Sequence, residues 1–331
     1  NTDSIFYMFA PWLKITPTTL ISGTFDPKTG LVNVNGKSQM IVVSGFALHD
    51  WTLNGASDKQ SLKVEMNCKE VNMSESLKPD TSLKRIEQFK ILAVAANDSV
   101  KFNIGWDDDE TPDHYKGNIA GAVSFRQNPA LALRIDDAMI MINDTVWNSI
   151  PGNLSVFDTT SYQIHNLGFT NNQRHIILDG VISDDPLSEL VLDVKGFNLS
   201  HTDILTAELG FDLDGYLDAR VKVSDLLSIP RIAADLNIKS FGVNHEFLGD
   251  AALTSEWDNE NSLLAIDMKV RHIGNVGTHF PIKVKGNIYP EREHDNFALN
   301  IDVYNLKVRT IEPFLEGIFS RVRGYASGAI T

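Results

Sequence analysis

Carboxylates, histidines and a single thiol are the residues best able to do chemistry here, and their spacing supports no familiar catalytic arrangement. The densest acidic run is Asp107-Asp108-Asp109-Glu110, followed by Asp113. It could offer oxygen ligands to calcium, but an EF-hand loop needs a glycine at its sixth position and none is there, so the run reads as a solvated hairpin tip. Asp212-Leu213-Asp214-Gly215 also opens like a calcium loop, yet no later ligands follow and Leu217 begins a strand; a turn is expected. The nine histidines (His49, His114, His165, His175, His201, His245, His272, His279 and His294) include no HExxH pair, and His272 and His279 are too far apart for one helical face. No metal site and no cofactor is expected. Cys68 is the only cysteine, so neither a disulfide nor a cysteine zinc cluster can form within the chain, and it reads as a packing residue. Nucleophile elbows, P-loops and dinucleotide fingerprints are absent. The chain is therefore not read as an enzyme. Trp106, Trp147 and Trp257 stand beside turns and read as plugs at hairpin ends rather than as a sugar-stacking platform.

Without a reactive centre, the distribution of charge and apolar surface has to carry the functional reading. Lys and Arg number 29 against 43 Asp and Glu, a net charge of -14 that repels phosphate backbones, so no nucleic-acid partner is expected. With 43% hydrophobic residues the chain has ample surface to bury and should fold. No stretch approaches the roughly 18 apolar residues of a membrane span, and any anchor or export signal is expected outside these residues.

The elements that dominate are strands, because the local period is two. Phe297, Leu299, Ile301 and Val303 alternate with Ala298, Asn300 and Asp302; Ile282 and Val284 alternate with Lys283 and Lys285; Leu264, Ile266, Met268 and Val270 alternate with Ala265, Asp267 and Lys269. The segments around Val100, Phe102 and Ile104, around Ile119 and Val123, and around Leu190 and Leu192 repeat the pattern. Turn clusters such as Asp26-Pro27-Lys28-Thr29-Gly30, Asn171-Asn172 and Asp184-Asp185-Pro186 separate the strands closely enough to predict an antiparallel meander. The strands are expected to fall short of the roughly ten residues of a membrane-barrel strand. Ile311, Phe314, Leu315, Ile318 and Phe319 form one helical stripe, and a second short helix is expected after Ser200.

Both helical spots belong to an internal repeat. Residues 190–199 match 297–306 at an offset of 107, and each copy re-enters a strand through Gly-Tyr, at Gly215-Tyr216 and Gly324-Tyr325. Trp106-Asp107 and Trp257-Asp258 echo each other as hairpin ends. A repeated multi-strand unit predicts stacking along one axis, with a first groove region over residues 1–200, a second over 201–310 and the start of a further repeat over 311–331.

Several strings in order along the chain give it a family likeness: Leu13-Lys14-Ile15-Thr16-Pro17, Ile21-Ser22-Gly23-Thr24-Phe25-Asp26, Ile142-Asn143-Asp144-Thr145-Val146-Trp147, Leu178-Asp179-Gly180-Val181-Ile182-Ser183, Leu248-Gly249-Asp250 with Trp257-Asp258, and Ile311-Glu312-Pro313-Phe314-Leu315. With these the chain resembles the C-terminal half of TamB-like translocation and assembly proteins of the AsmA-like superfamily. The resemblance implies an all-β, elongated, repeating β-groove (β-taco) of mostly antiparallel strands with one or two short helices. It also implies a periplasmic location, anchored to the inner membrane through an N-terminal helix absent from these residues, and an outer-membrane barrel partner of the TamA/BamA type. The implied function is phospholipid transport in outer-membrane biogenesis, with acyl chains as the ligand; the alternative is a scaffold for insertion of barrel or autotransporter proteins. The expected groove lining is Val100, Phe102, Ile104, Val123, Leu190, Leu192, Ile266, Met268, Val284, Leu299 and Ile301. A closed core and an open groove write the same alternation into a strand, and the sequence leaves both open.

Overall fold

A computed structural model describes residues 12–72, 85–107, 116–126, 130–142, 145–202, 206, 212–274, 277–292, 294–310 and 323–331. The acidic residues 108–113, the Asn143-Asp144 pair and the helical stripe over 311–319 lie outside the described residues. The fold is all-β: the described residues form 21 strands, and every pair among them with a known register is antiparallel. Where short helices are expected, the described residues hold one 3-10 turn at Leu199–Thr202 and another over 308–310.

Two compact units divide the chain, Asn1–Asp158 and Thr159–Thr331. The first contains β1 (Leu13–Ile15), β2 (Leu20–Asp26), β3 (Leu31–Val43), β4 (Phe46–Ser57), β5 (Leu62–Asn72), β6 (Arg85–Ala96), β7 (Ser99–Asp107), β8 (Lys116–Arg126), β9 (Ala130–Ile142), β10 (Thr145–Ser149) and β11 (Leu154–Phe157). Strands β3 to β9 form a meander, each pairing with the next; β1 and β2 both flank β3, and β10 and β11 both flank β9. The second contains β12 (Ser161–Asn171), β13 (Arg174–Ser183), β14 (Glu189–Asn198), β15 (Leu213–Ser224), β16 (Arg231–Val243), β17 (Glu246–Asp258), β18 (Leu263–Gly274), β19 (Gly277–Ile288), β20 (Phe297–Lys307) and β21 (Tyr325–Ile330). These ten pair strictly in chain order. Residue 200, an expected boundary, falls between β14 and β15, which pair with one another.

The turns form where their residues require them. Asp26 ends β2 and its carboxylate accepts from the Lys28 backbone N–H (2.9 Å) and the Thr29 hydroxyl (2.7 Å), closing the Asp26-to-Gly30 hairpin. Asp58 and Asp258 do the same at two four-residue loops, each accepting two backbone N–H groups. Those hydrogen bonds favour the ionised form and hold the Asp58 carboxyl below the ordinary aspartate range, with backbone donation from Gln60 the largest cause. Asn172, at φ 54°, makes the tight β12–β13 turn.

Many strands are longer than the alternation predicts: β3, β9, β16 and β17 each run 13 residues. In β16, and likewise in β12, β14 and β20, a bulge lets the strand run on past a break in the alternation. A residue with positive φ interrupts the strand and shifts the alternation by one without ending the ladder, so apolar residues three apart face the same way. Asn166 (φ 49°) separates Ile164 from Leu167, Gly196 (61°) Val194 from Phe197, Ser240 (55°) Ile238 from Phe241, and Asn305 (51°) Val303 from Leu306; the register shifts at all four. A bulge leaves a backbone N–H outside the ladder, and a buried or half-buried donor needs a partner. In each case the neighbouring strand supplies one. Asn166 N–H donates to Asp179 Oδ2 (2.9 Å), Gly196 to Asp218 Oδ1 (2.7 Å), Ser240 to Asp250 Oδ1 (3.1 Å) and Asn305 to Ser327 Oγ (2.8 Å).

The bulges also place the internal repeat in register. Gly196 corresponds to Asn305, Asp218 to Ser327, and the pair Asn198–Tyr216 to Lys307–Tyr325, all at an offset of 109. The 107 offset of the Phe-Asn-Leu and Tyr-Asn-Leu strings is thus two residues out of structural register. A second correspondence, at an offset of 200, joins the units: β3 spans Leu31–Val43 and β16 spans Arg231–Val243, both leading through a two-residue turn of positive φ into a strand carrying Leu-x-Asp-x-x-Leu. Asp212-Leu213-Asp214-Gly215 is not a turn but the entry to β15, where Gly215 (φ 126°) takes up a register shift between Asp214 and Tyr216.

Removing a bulge cap tests this account. Asp218→Ala is expected to cost about 1 kcal/mol, the worth of one hydrogen bond, and Asp218→Asn, which keeps an acceptor oxygen, distinctly less. Urea unfolding midpoints of the two variants are the check; an unchanged midpoint in Asp218→Ala would show that the cap contributes nothing.

Candidate functional site: an apolar face in each unit

Cross-strand register converts the alternation into surfaces, because residues directly opposite one another share a face. In the second unit one row crosses all ten strands without a polar residue: Phe169, Ile176, Val194, Ala219, Leu236, Leu253, Met268, Val284, Ile301 and Ile330. Beside it runs Leu167, Leu178, Leu192, Val221, Ala234, Ser255, Ile266, Gly286 and Leu299, and beyond that a shorter row containing Leu190 and Val223. Strands lie about 4.8 Å apart, so the ten-strand row extends about 43 Å along the sheet. In the first unit, Ile21, Gly36, Leu53, Met66, Ile91, Ile104, Ile119 and Ala138 form one row, with Phe102 and then Val100 and Val123 on the rows next to it.

All eleven expected lining residues fall on these faces. Val100, Phe102, Ile104 and Val123 share one face of the first unit; Leu190, Leu192, Ile266, Met268, Val284, Leu299 and Ile301 share one face of the second. Every one of them is half-buried and none is buried. A sheet interior sandwiched between two layers would bury most of them. Buried residues that pack into a cluster are Ile41, Leu48, Trp51, Cys68 and Val71 in the first unit and Val243, Leu248, Ala251, Val270 and Leu306 in the second, and on the faces themselves Ala138, Val194 and Ala219 are buried as well. Towards the margins the faces open further, with Phe25 at 66% and Ile330 at 65% exposure.

Aromatic rings on the first unit's face sit over glycines of the adjacent strand. Trp106 lies against Gly117, where an added Cβ would come within 2.1 Å of the ring, and Phe102 lies over Gly121, where it would come within 2.8 Å. The glycines make room for rings that would otherwise stand up from the sheet, and the rings cover backbone that glycine leaves bare. Trp257, the other expected hairpin end, is half-buried opposite Leu264, one residue before a four-residue loop.

The reverse faces are polar and cross-linked. His175 and Arg220 both bond Asp193, at 2.8 and 2.9 Å, Lys269 pairs with Asp267 and Lys90 with Glu65. Such exposed pairs contribute little stability each but keep this side wetted. Asp212, Asp214 and His245 bring ligand atoms within 4.8 Å of one another beside the β16–β17 turn, with His245 bonded to Asp212 at 3.0 Å.

Period two alone did not single out Leu178, Ile176, Leu253, Met66 or Ile91. In β13 the reverse side also carries Ile177 and Val181 alongside His175 and Asp179, and in β17 the inward positions near Leu253 are the small residues Ala251 and Ser255; only the register assigns them. No family model, curated protein or solved structure matches this chain. Among the described residues, no helix is long and apolar enough to cross a membrane.

Cys68 sits in the first unit's buried cluster at 3% exposure, with its thiol against the His49 (3.1 Å) and Glu70 (2.9 Å) carbonyls. Burial pushes its pKa up to about 11. Because the thiolate is the reactive form, native protein is expected to resist a thiol reagent such as Ellman's at about pH 8 and to react at once when denatured. Rapid labelling of the folded chain would contradict this burial.

Proposed function

We propose that the two apolar faces bind and conduct phospholipid acyl chains, and that the protein is a non-enzymatic conduit of outer-membrane biogenesis in the periplasm. The observation that supports this most is the ten-residue apolar row from Phe169 to Ile330, half-buried over most of its length. An acyl tail spans half of a hydrocarbon core about 30 Å thick, so a row of about 43 Å offers it several equivalent positions. Each methylene taken from water gains about 0.8 kcal/mol, nearly what a bilayer returns, so a tail on this surface is held without being trapped. The sequence resemblance to TamB-like proteins supports the same reading and brings with it an inner-membrane anchor and a barrel partner of the TamA/BamA type.

One observation favours a second reading, a scaffold for inserting outer-membrane strands. Every residue of β2 is exposed, and among the described residues it pairs with β3 alone, which leaves its other side as a strand edge of the sort that accepts an added strand.

Native mass spectrometry with lipid extraction, on the chain purified from a bacterial periplasm, separates the two. The wild type is expected to carry phospholipid, and a Met268→Asp, Leu299→Asp variant with an unchanged far-ultraviolet circular dichroism spectrum is expected to lose it. Lipid-free wild type whose β2 edge crosslinks to unfolded barrel segments would replace the conduit with the scaffold.

A further inference from the structure

Seven residues apart in sequence, His272 and His279 become directly opposed partners when the β18–β19 hairpin closes. Their rings lie 4.8 Å apart between centroids, inclined at 40°. His272 donates its Nδ1–H to the Leu248 carbonyl oxygen at 3.1 Å, which fixes the tautomer and leaves the Nε2 lone pair available. A hydrogen bond from the far ring nitrogen to a backbone carbonyl is what metal-binding imidazoles commonly have. Phe247 flanks His272 at 5.4 Å and Tyr304 flanks His279 at 5.8 Å, so the two imidazoles are held between aromatic rings and cannot swing apart freely. Both histidines are half-buried and line a pocket of about 150 Å³ together with Glu246, Leu306, Lys307 and Tyr325. The Glu246 carboxylate is paired with Lys307, and its hydrogen bond pushes the lysine pKa up.

We propose that His272 and His279 form a two-imidazole site for a borderline divalent transition metal, zinc or copper, which clips β18 to β19. Two nitrogens each about 2.1 Å from a tetrahedral ion stand about 3.4 Å apart, a separation that rings at this centroid distance reach by small side-chain rotations. The pocket has room for water in the remaining positions. An overall charge of -14 raises the local concentration of cations near the surface.

The test uses the full chain with any affinity tag removed and metal stripped by a chelator. Zinc chloride is titrated in competition with a chromophoric chelator, and one equivalent of copper(II) is examined by electron paramagnetic resonance. One zinc per chain is expected, with affinity falling at least tenfold in His272→Ala and in His279→Ala and unchanged in an Asp212→Asn, Asp214→Asn variant. Copper is expected to show coupling to two imidazole nitrogens in the wild type and to one in each histidine variant. Circular dichroism of the metal-free variants checks that they fold, and the copper spectrum of the wild type does not depend on any variant. Zinc affinity that ignores the histidines, that disappears only with the aspartates, or that is absent altogether would overturn the site.

Discussion

A positive-φ residue in mid-strand leaves a backbone N–H that the ladder cannot satisfy, and this sheet depends on giving it an acceptor. Asp179, Asp218, Asp250 and Ser327 do so from the adjacent strand. With those four N–H groups satisfied, strands of 10 to 13 residues can change which alternate positions face inward and still pair along their length. Three of these bonds lie at exposed positions and the one from Asn166 is part-buried, so each contributes about 1 kcal/mol, the net worth of an ordinary hydrogen bond. The chemistry that looks idle on the polar side therefore decides where the apolar side lies.

What the bulges achieve is visible in the buried clusters. In the second unit, Val303 and Leu306 stand three apart across Asn305, and both pack with Val243, Leu248 and Val270. The first unit shows the same arrangement, with Leu48 and Trp51 in one cluster across Asp50 (φ 49°) and Ile86 and Phe89 packed against it across Gln88 (φ 49°). Away from these clusters most of each face is half-buried, held by cross-strand pairs and by rings seated on glycine. The structure thus separates two tasks that a globular core combines. A few fully buried residues fix each sheet, and a longer apolar surface remains within reach of solvent.

How much of this was legible in the sequence follows from the periods searched. Strict alternation in β18, β19 and β20 placed Ile266, Met268, Val284, Leu299 and Ile301 on one face, and the register agrees. The turns at Asp26 and Asn172 could be read because carboxylate capping and left-handed asparagine are local properties. Strand lengths could not, since a bulge breaks the period of two and looks like a strand end. The motif that would have revealed them is an apolar pair three apart with Gly, Asn or Ser just before the second, as in Val194-Lys195-Gly196-Phe197 and Val303-Tyr304-Asn305-Leu306. The histidine pair was hidden for a related reason: helical spacing was applied to residues that meet only across a hairpin.

Within each unit, every strand pairs with one that lies no more than two places away in the chain. Contacts of this kind need no distant segment to arrive first, and the entropy of closing each new loop stays small. A chain emerging gradually, from a ribosome or through a narrow translocation pore, can therefore add hairpins one at a time to an edge already in place. Each new strand finds its template waiting at the edge most recently made.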